Sequence, residues 1–311
     1  MTPVIELENA KLRATVLPDI GAKIFDLIWK PVGRNYLWHN PRIRPQPYPV
    51  DGLFDNYWCG GWDDGFPTCD PCEFRGERYP GLGELRSLRW EVERAEPTAV
   101  VLTAFGPISP VRARKTVRLS SRYAILHMRF EVTNIGPLPL DFIWGTHPAI
   151  QPFGRNLILR IPARTGIVGE GSPGLAGEPG RRYEWPVLDG VDMSRVRGAE
   201  EGAYCGHCVT DLEAGWYAIE DTDTGDGLLM RFPVGLCPYL WLWLTYGGYR
   251  GHHHVIVEPW TSYPVTLAGA VAAGTSRRLG PSETFRVEVA VTPYRASEGW
   301  QDALSRIEED Q

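Results

Sequence analysis

The sequence has no run of about 18 apolar residues, the length a membrane-spanning helix requires, so no transmembrane segment is predicted. Its opening stretch, MTPVIELENAKLRATVLP, lacks the apolar core of a secretion signal, and the expected location is the cytoplasm. There is no basic block. With 32 Lys and Arg against 38 Asp and Glu the net charge is −6, which argues against nucleic acid or an anionic membrane surface as partner. Internal repeats and low-complexity tracts are also missing. In a reducing compartment the six cysteines are expected as thiols or ligands rather than as a disulfide framework.

What is present is apolar and aromatic. Hydrophobic residues make up 43%, enough for a sizeable core, and 12 Trp and 13 Tyr supply flat amphipathic rings. Alternation of apolar and polar residues recurs at 12–17, 22–29, 88–93, 99–105, 124–134, 140–145, 157–162, 216–221, 228–232, 239–245, 254–258 and 285–292. Strands of this kind, separated by turns drawn from 34 Gly and 27 Pro, predict an all-β chain built as a large antiparallel β-sandwich. A short C-terminal helix is expected, capped by Ser297 and packed through Trp300, Ala303, Leu304 and Ile307. Residues 41–80 and 163–202 show no strand pattern and are expected as ordered loops that carry binding groups. Residues 1–311 are read as one domain.

Four segments could do chemistry. In Trp144-Gly-Thr-His147-Pro148 the proline biases His147 towards extended backbone, so its ring should project from a strand end; the plain alternative is a surface histidine. Val255-Ile-Val-Glu258-Pro259-Trp260 ends an apolar strand in a carboxylate, either solvated or held at a cleft rim. Gly60-Gly-Trp62-Asp63-Asp64-Gly-Phe66-Pro67 offers Trp62 as a stacking face and Asp63 and Asp64 as hydroxyl acceptors, or else forms an ordinary turn. In Tyr239–Tyr246, Tyr239, Trp241, Trp243 and Thr245 share one face and the leucines the other, which suits a cleft wall or a doubly buried strand.

Taken together and in order, GGWDDGFPT (60–68), GELRSLRW (83–90), WGTHPAI (144–150), YEWP (183–186), PYLWLWLTYGG (238–248), VEPWTSYP (257–264) and LGPSETFRVEV (279–289) resemble the aldose 1-epimerase (galactose mutarotase-like) family nearly end to end. The N-terminal Leu17-Pro-Asp-Ile-Gly21 and Gly33-Arg-Asn-Tyr-Leu37-Trp38 add to the likeness. The resemblance implies a galactose mutarotase-like supersandwich with a concave site for a free sugar. By motif position His147 would be the general acid on the ring oxygen and Glu258 the general base on the anomeric hydroxyl. Because a pyranose presents C–H groups to an aromatic plane, Trp62, Trp144 and Trp243 should contribute at least one stacking face, with Asp63 and Asp64 meeting the hydroxyls. Neither a cofactor nor a metal is implied. One departure stands out: where the family commonly has a second sugar-holding histidine, this sequence has Leu82. The family's sugar-contacting aspartate has no clear counterpart, Asp211 matching poorly.

Other readings remain at this level. A non-catalytic carbohydrate-binding or sensing protein would keep the same cleft, and a polysaccharide lyase or hydrolase could use a similar sandwich. A glycosidase usually needs two flanking carboxylates, of which only Glu258 can be placed. Cys69-Asp-Pro-Cys72 and Cys205-Gly-His-Cys208 could make a zinc site, but free thiols or local disulfides are expected at such separation. His252-His-His254 reads as a loop with incidental histidines. Arg75, Arg78 and Arg86, interleaved with Glu73, Glu77 and Glu84, read as surface ion pairs rather than a phosphate site.

Overall fold

Period-two patterning drives the chain into two large antiparallel sheets that share one core. The computed structural model describes residues 3–310. Ten strands of an eleven-stranded sheet run in the spatial order Ile5–Glu8, Leu12–Leu17, Lys23–Trp29, Trp62–Gly65, Gly145–Ile150, His253–Trp260, Tyr239–Tyr246, Ala203–Leu212, Ala163–Gly171 and Arg182–Glu184; Arg34–Asn35 pairs beside them. An eight-stranded sheet runs Leu157–Arg160, Trp216–Asp221, Gly227–Arg231, Thr284–Tyr294, Leu126–Asn134, Val111–Leu119, Ala99–Phe105 and Glu91–Glu96. Between them lie Leu240, Leu242, Leu244, Val255 and Val257 from the first sheet and Val117, Met128, Phe130 and Val289 from the second. One polar bridge crosses this core, Lys115 Nζ to Asp64 Oδ2 at 2.6 Å, with both side chains buried.

The expected sandwich is what forms, although several elements fall elsewhere than the alternation placed them. Val111–Leu119 is a strand with a clear in-and-out burial pattern that the sequence reading passed over. The 88–93 strand shifts to Glu91–Glu96, an exposed edge, because Leu88 closes a 3-10 turn and Trp90 is buried against the core. The 140–145 segment divides. Leu140–Phe142 pairs with Arg277–Leu279, while Gly145–Ile150 enters the large sheet. Within 163–202, Ala163–Gly171 is a nine-residue strand rather than a loop, its glycines leaving room for Tyr183. Within 41–80, expected as loop, Phe54–Tyr57 is a short helical turn, Trp62–Gly65 is a strand, and Cys72–Phe74 pairs with Glu77–Tyr79 as a small hairpin.

The C-terminal helix, Gly299–Glu309, buries Ala303 and Ile307 against Leu229, Ala290 and Tyr294 of the eight-stranded sheet. Trp300 stacks on Trp216 with ring centres 4.4 Å apart. Ser297 does not cap it: Glu298 is the N-cap residue, and no side chain bonds there. A second helix, Leu267–Ala272, was not expected; Thr266 caps it by accepting from the Gly269 N–H at 3.1 Å. Among the described residues no helix is long and apolar enough to cross a membrane.

Candidate active site

The face of the eleven-stranded sheet turned away from the core floors a cleft of about 640 Å³. Alternation decides which side chains reach it. On Tyr239–Tyr246 the leucines point into the core, and Trp241 and Trp243 line the cleft. On His253–Trp260, Val255 and Val257 point inward and Glu258 outward; on Gly145–Ile150, Ile150 points inward and His147 outward. One wall comes from the expected loop region, Asp51–Asp55 and Cys69–Pro71, continued by Pro80–Leu82. Gly169, Glu170, Gly206 and Tyr249 complete the lining, the Tyr249 hydroxyl donating to Asp55.

His147 and Glu258 meet on this floor, Nε2 to Oε1 at 3.9 Å, both side chains more than nine-tenths buried. The indole Nε1–H of Trp260 donates to Glu258 Oε2 at 3.0 Å and leaves Oε1 turned to the histidine. Phe54 and Trp58 pack edge-on around the imidazole, with ring centres 5.8 and 5.5 Å away. Burial, opposed by the hydrogen bond from Trp260, pushes the Glu258 carboxyl up to about 8; the charge of Asp70 adds to the rise. Burial pulls His147 down to about 4 against the influence of Asp63. At neutral pH these shifts favour a neutral imidazole beside a protonated carboxyl. That is the reverse of the resting charges expected for a histidine acid and a glutamate base.

Four of the expected sugar contacts lie elsewhere. Trp62 and Trp144 are buried in the core between the sheets, Trp62 because the strand Trp62–Gly65 turns it inward and Trp144 from the two-residue link between Leu140–Phe142 and Gly145–Ile150; Trp62 Nε1–H donates to Thr146, and Trp144 packs on Phe130 and Phe285. Asp64 likewise points inward, to Lys115. Asp63 points the other way but sits below the floor, ion-paired with Lys23 and accepting from Trp58 Nε1–H at 3.2 Å. Of the proposed binding residues only Trp243 lines the cleft. Trp241, Phe54, Tyr249, Asp70 and Glu170 were not chosen. The alternation that selected Trp243 also places Trp241 beside it, whereas the loop-borne groups carry no local signal.

Leu82 does reach the cleft, with φ +54° in the left-handed region, packed near Trp260, Ile143 and Ala270. Asp211 is engaged by Arg182 and Thr165 and does not line it. His253 and His254 belong to a strand rather than a loop. His252 and His254 flank Trp38 and Trp58, and burial lowers both, His252 to about 4. All six cysteines are free thiols, with Cys69 in the cleft wall and Cys205 in the core. Among the described residues no group of three His, Cys, Asp or Glu is arranged to hold a metal. Arg78 pairs with Glu73 at the surface as expected, and Arg75 pairs with Asp141. Arg86 is buried instead. It donates to the carbonyls of Gly52 and Gly81 in the cleft wall and lies over Tyr48 and Phe54, while Glu84 accepts from the backbone N–H of Ile108 and Ser109.

No protein-family model matches the sequence. Solved structures do resemble the chain closely in shape. A galactose mutarotase related enzyme from Lactobacillus acidophilus aligns with TM-score 0.70 at 16% identity, over 94% of this chain and 98% of that one. A galactose mutarotase-like protein from Lactobacillus casei gives TM-score 0.68 at 16% identity, over 94% and 100%. The GalM/aldose epimerase homologue from C. elegans gives 0.64 at 17%, over 95% and 99%. Similarity of this extent at such low identity establishes the fold, a galactose mutarotase-like sandwich.

Proposed function

We propose that the chain is an aldose 1-epimerase-like isomerase, interconverting the anomers of an unphosphorylated aldose by acid–base ring opening. The observation that carries this reading is the His147–Glu258 pair, 3.9 Å apart on the floor of a cleft walled by Phe54, Trp241, Trp243 and Tyr249. A pyranose would lay its C–H face on Trp241 or Trp243 and bring its anomeric centre to the pair.

Ring opening takes a proton from the anomeric hydroxyl and delivers one to the ring oxygen; closure on the other face reverses both transfers. One proton shared by two residues is enough. Opening starts from the charged arrangement, imidazolium with carboxylate, and ends with neutral imidazole and protonated carboxyl. Burial favours the neutral arrangement on both residues, so it assists the opening half of the cycle. Closure returns the charged arrangement, which hydrogen bonds from sugar hydroxyls to Glu258 would favour against the effect of burial. No step calls for a nucleotide, a metal or a covalent intermediate.

A second reading is favoured by Leu82. It occupies the cleft where a histidine could have held the sugar, and a leucine offers no hydrogen bond. A protein that binds or senses a carbohydrate without turning it over would have the same floor and walls. NMR exchange spectroscopy on a panel of aldoses, with and without protein, separates the two. Accelerated anomer exchange for at least one sugar supports the isomerase. Saturable binding with exchange at the uncatalysed rate supports the binding protein.

A further inference from the structure

Five carboxyl groups line the cleft, those of Asp51, Asp55, Asp70, Glu170 and Glu258, and no lysine or arginine does. Two of the five are engaged within the protein. Asp55 accepts from the Tyr249 hydroxyl and lies 3.7 Å from Arg250, and Glu258 accepts from Trp260. The other three, Asp51, Asp70 and Glu170, are exposed and have no hydrogen-bond or ion-pair partner for their side chains among the described residues. Partial enclosure, with a smaller contribution from the charge of Asp70, raises the Glu170 carboxyl. Arg86, the guanidinium behind the wall, is committed to the carbonyls of Gly52 and Gly81.

Independent polar groups point to a ligand in the same space. His147, with 8% of its side chain exposed, lines the cleft with no hydrogen-bond partner on Nδ1. Trp241 Nε1 is likewise buried and unpartnered. Around them stand Phe54, Trp243 and Tyr249, whose ring faces attract a cation as well as a sugar's C–H groups.

We infer that the cleft prefers an aldose bearing an ammonium group, an amino sugar, to its neutral parent or an anionic derivative, and that Asp70 and Glu170 are the specificity-determining pair that receives the cation. This deepens the reading of the cleft as a sugar site and rests on it. A phosphate or carboxylate substituent would meet only like charge at the mouth and no counter-ion inside. An ammonium would meet carboxyl groups that no cation of the cleft lining pairs.

The test is a binding titration of the full chain at pH 6.5 and low salt with glucose, glucosamine, N-acetylglucosamine and glucose 6-phosphate, repeated for the galactose series. Glucosamine or galactosamine should bind about fivefold to tenfold more tightly than its parent, the scale of a partly exposed cation among carboxylates and aromatic rings. N-acetylation should abolish the advantage, and the 6-phosphate should bind more weakly than the parent. The advantage should shrink as salt rises, as it must for partly exposed charges. Asp70→Asn combined with Glu170→Gln should bring the ratio of amino sugar to parent within about twofold; the salt series supplies the same readout should that variant fold poorly. Equal binding of amino sugar and parent, tighter binding of the phosphate, or a preference untouched by the double substitution overturns the inference. Anomer exchange is scored separately. Exchange of neutral aldoses without an ammonium preference sinks the inference and leaves the isomerase standing, whereas an ammonium preference without exchange does the reverse.

Discussion

Trp260 and Glu258 lie two residues apart on one strand, and the indole Nε1–H of the first holds Oε2 of the second at 3.0 Å. Since alternate residues share a face, the tryptophan orients the carboxyl from beside it and directs Oε1 towards His147. If the pair performs proton transfer, His147→Ala and Glu258→Gln should each slow anomer exchange by about 10²-fold or more, the usual scale for a general acid or base. Sugar affinity should change far less. Two-dimensional exchange NMR gives the rate, and tryptophan fluorescence gives the affinity through Trp241 and Trp243. Exchange at the wild-type rate in either variant would remove that residue from the mechanism.

The same pair should leave a signature in stability against pH. Glu258 has its folded pKa raised from 4.5 to about 8, so between those values the folded state holds a proton that the unfolded state has released, and stability falls as pH rises. His147, lowered from 6.5 to about 4, acts oppositely between 4 and 6.5. The two largely cancel below pH 6.5, leaving a net loss of about 1–2 kcal/mol from pH 6.5 to 8 that belongs to Glu258. Glu258→Gln should flatten this limb in urea melts recorded across the range. An unchanged slope would mean that the carboxyl is already ionised at neutral pH.

Leu82 invites the reverse experiment. Its left-handed backbone suits histidine better than leucine, since His, Asn and Asp are enriched in that region while bulky apolar residues are outliers there. Leu82→His should therefore fold, keep the cleft, and raise the exchange rate by adding a donor to the sugar. A variant with sugar affinity and rate both at wild-type values would show that this position does not face the bound sugar.

The bridge between the sheets gives a prediction that does not depend on catalysis. Lys115→Met leaves Asp64 as an unpaired carboxylate in the core, and a loss of about 3–5 kcal/mol is expected in denaturant melts. Replacing both residues, Asp64→Leu with Lys115→Met, should recover much of it, because no charge is then stranded. If the double variant is as unstable as the single, the pair does more than neutralise itself.

Most of the architecture was legible because a half-buried strand shows period two, and Leu12–Leu17, Ala99–Phe105 and Trp216–Asp221 lie where that period places them. Ala163–Gly171 was not legible. Three glycines interrupt its pattern, and they are there to admit neighbouring groups such as Tyr183 that only the folded chain brings close. In the site, the local patterns left His147 and Glu258 ambiguous and the ordered family resemblance singled them out; both lie inside strands, Gly145–Ile150 and His253–Trp260, rather than at the strand ends expected. The direction in which Trp62 and Asp64 point was not accessible, because a turn was an open reading of Gly60–Pro67 and a turn carries no inward or outward sense; Trp144 sits in the link between two strands, where alternation does not apply. Asp70 and Glu170 line one cleft from distant segments, a relation that no local pattern encodes.

The indole of Trp260 lies flat across two neighbouring strands, where a Cβ at Gly145 would fall 2.0 Å from its Cδ2 and one at Gly65 2.4 Å from its Cη2. These three positions can therefore vary only in a fixed order. A side chain cannot grow at 145 or 65 while the indole is in place, and the indole cannot shrink without freeing the carboxyl it steers. Among relatives that keep a functioning floor, the three should be inherited as a block. A chain that has lost the tryptophan has an open path to fill both glycines, and with them a route away from proton-transfer chemistry that is hard to retrace.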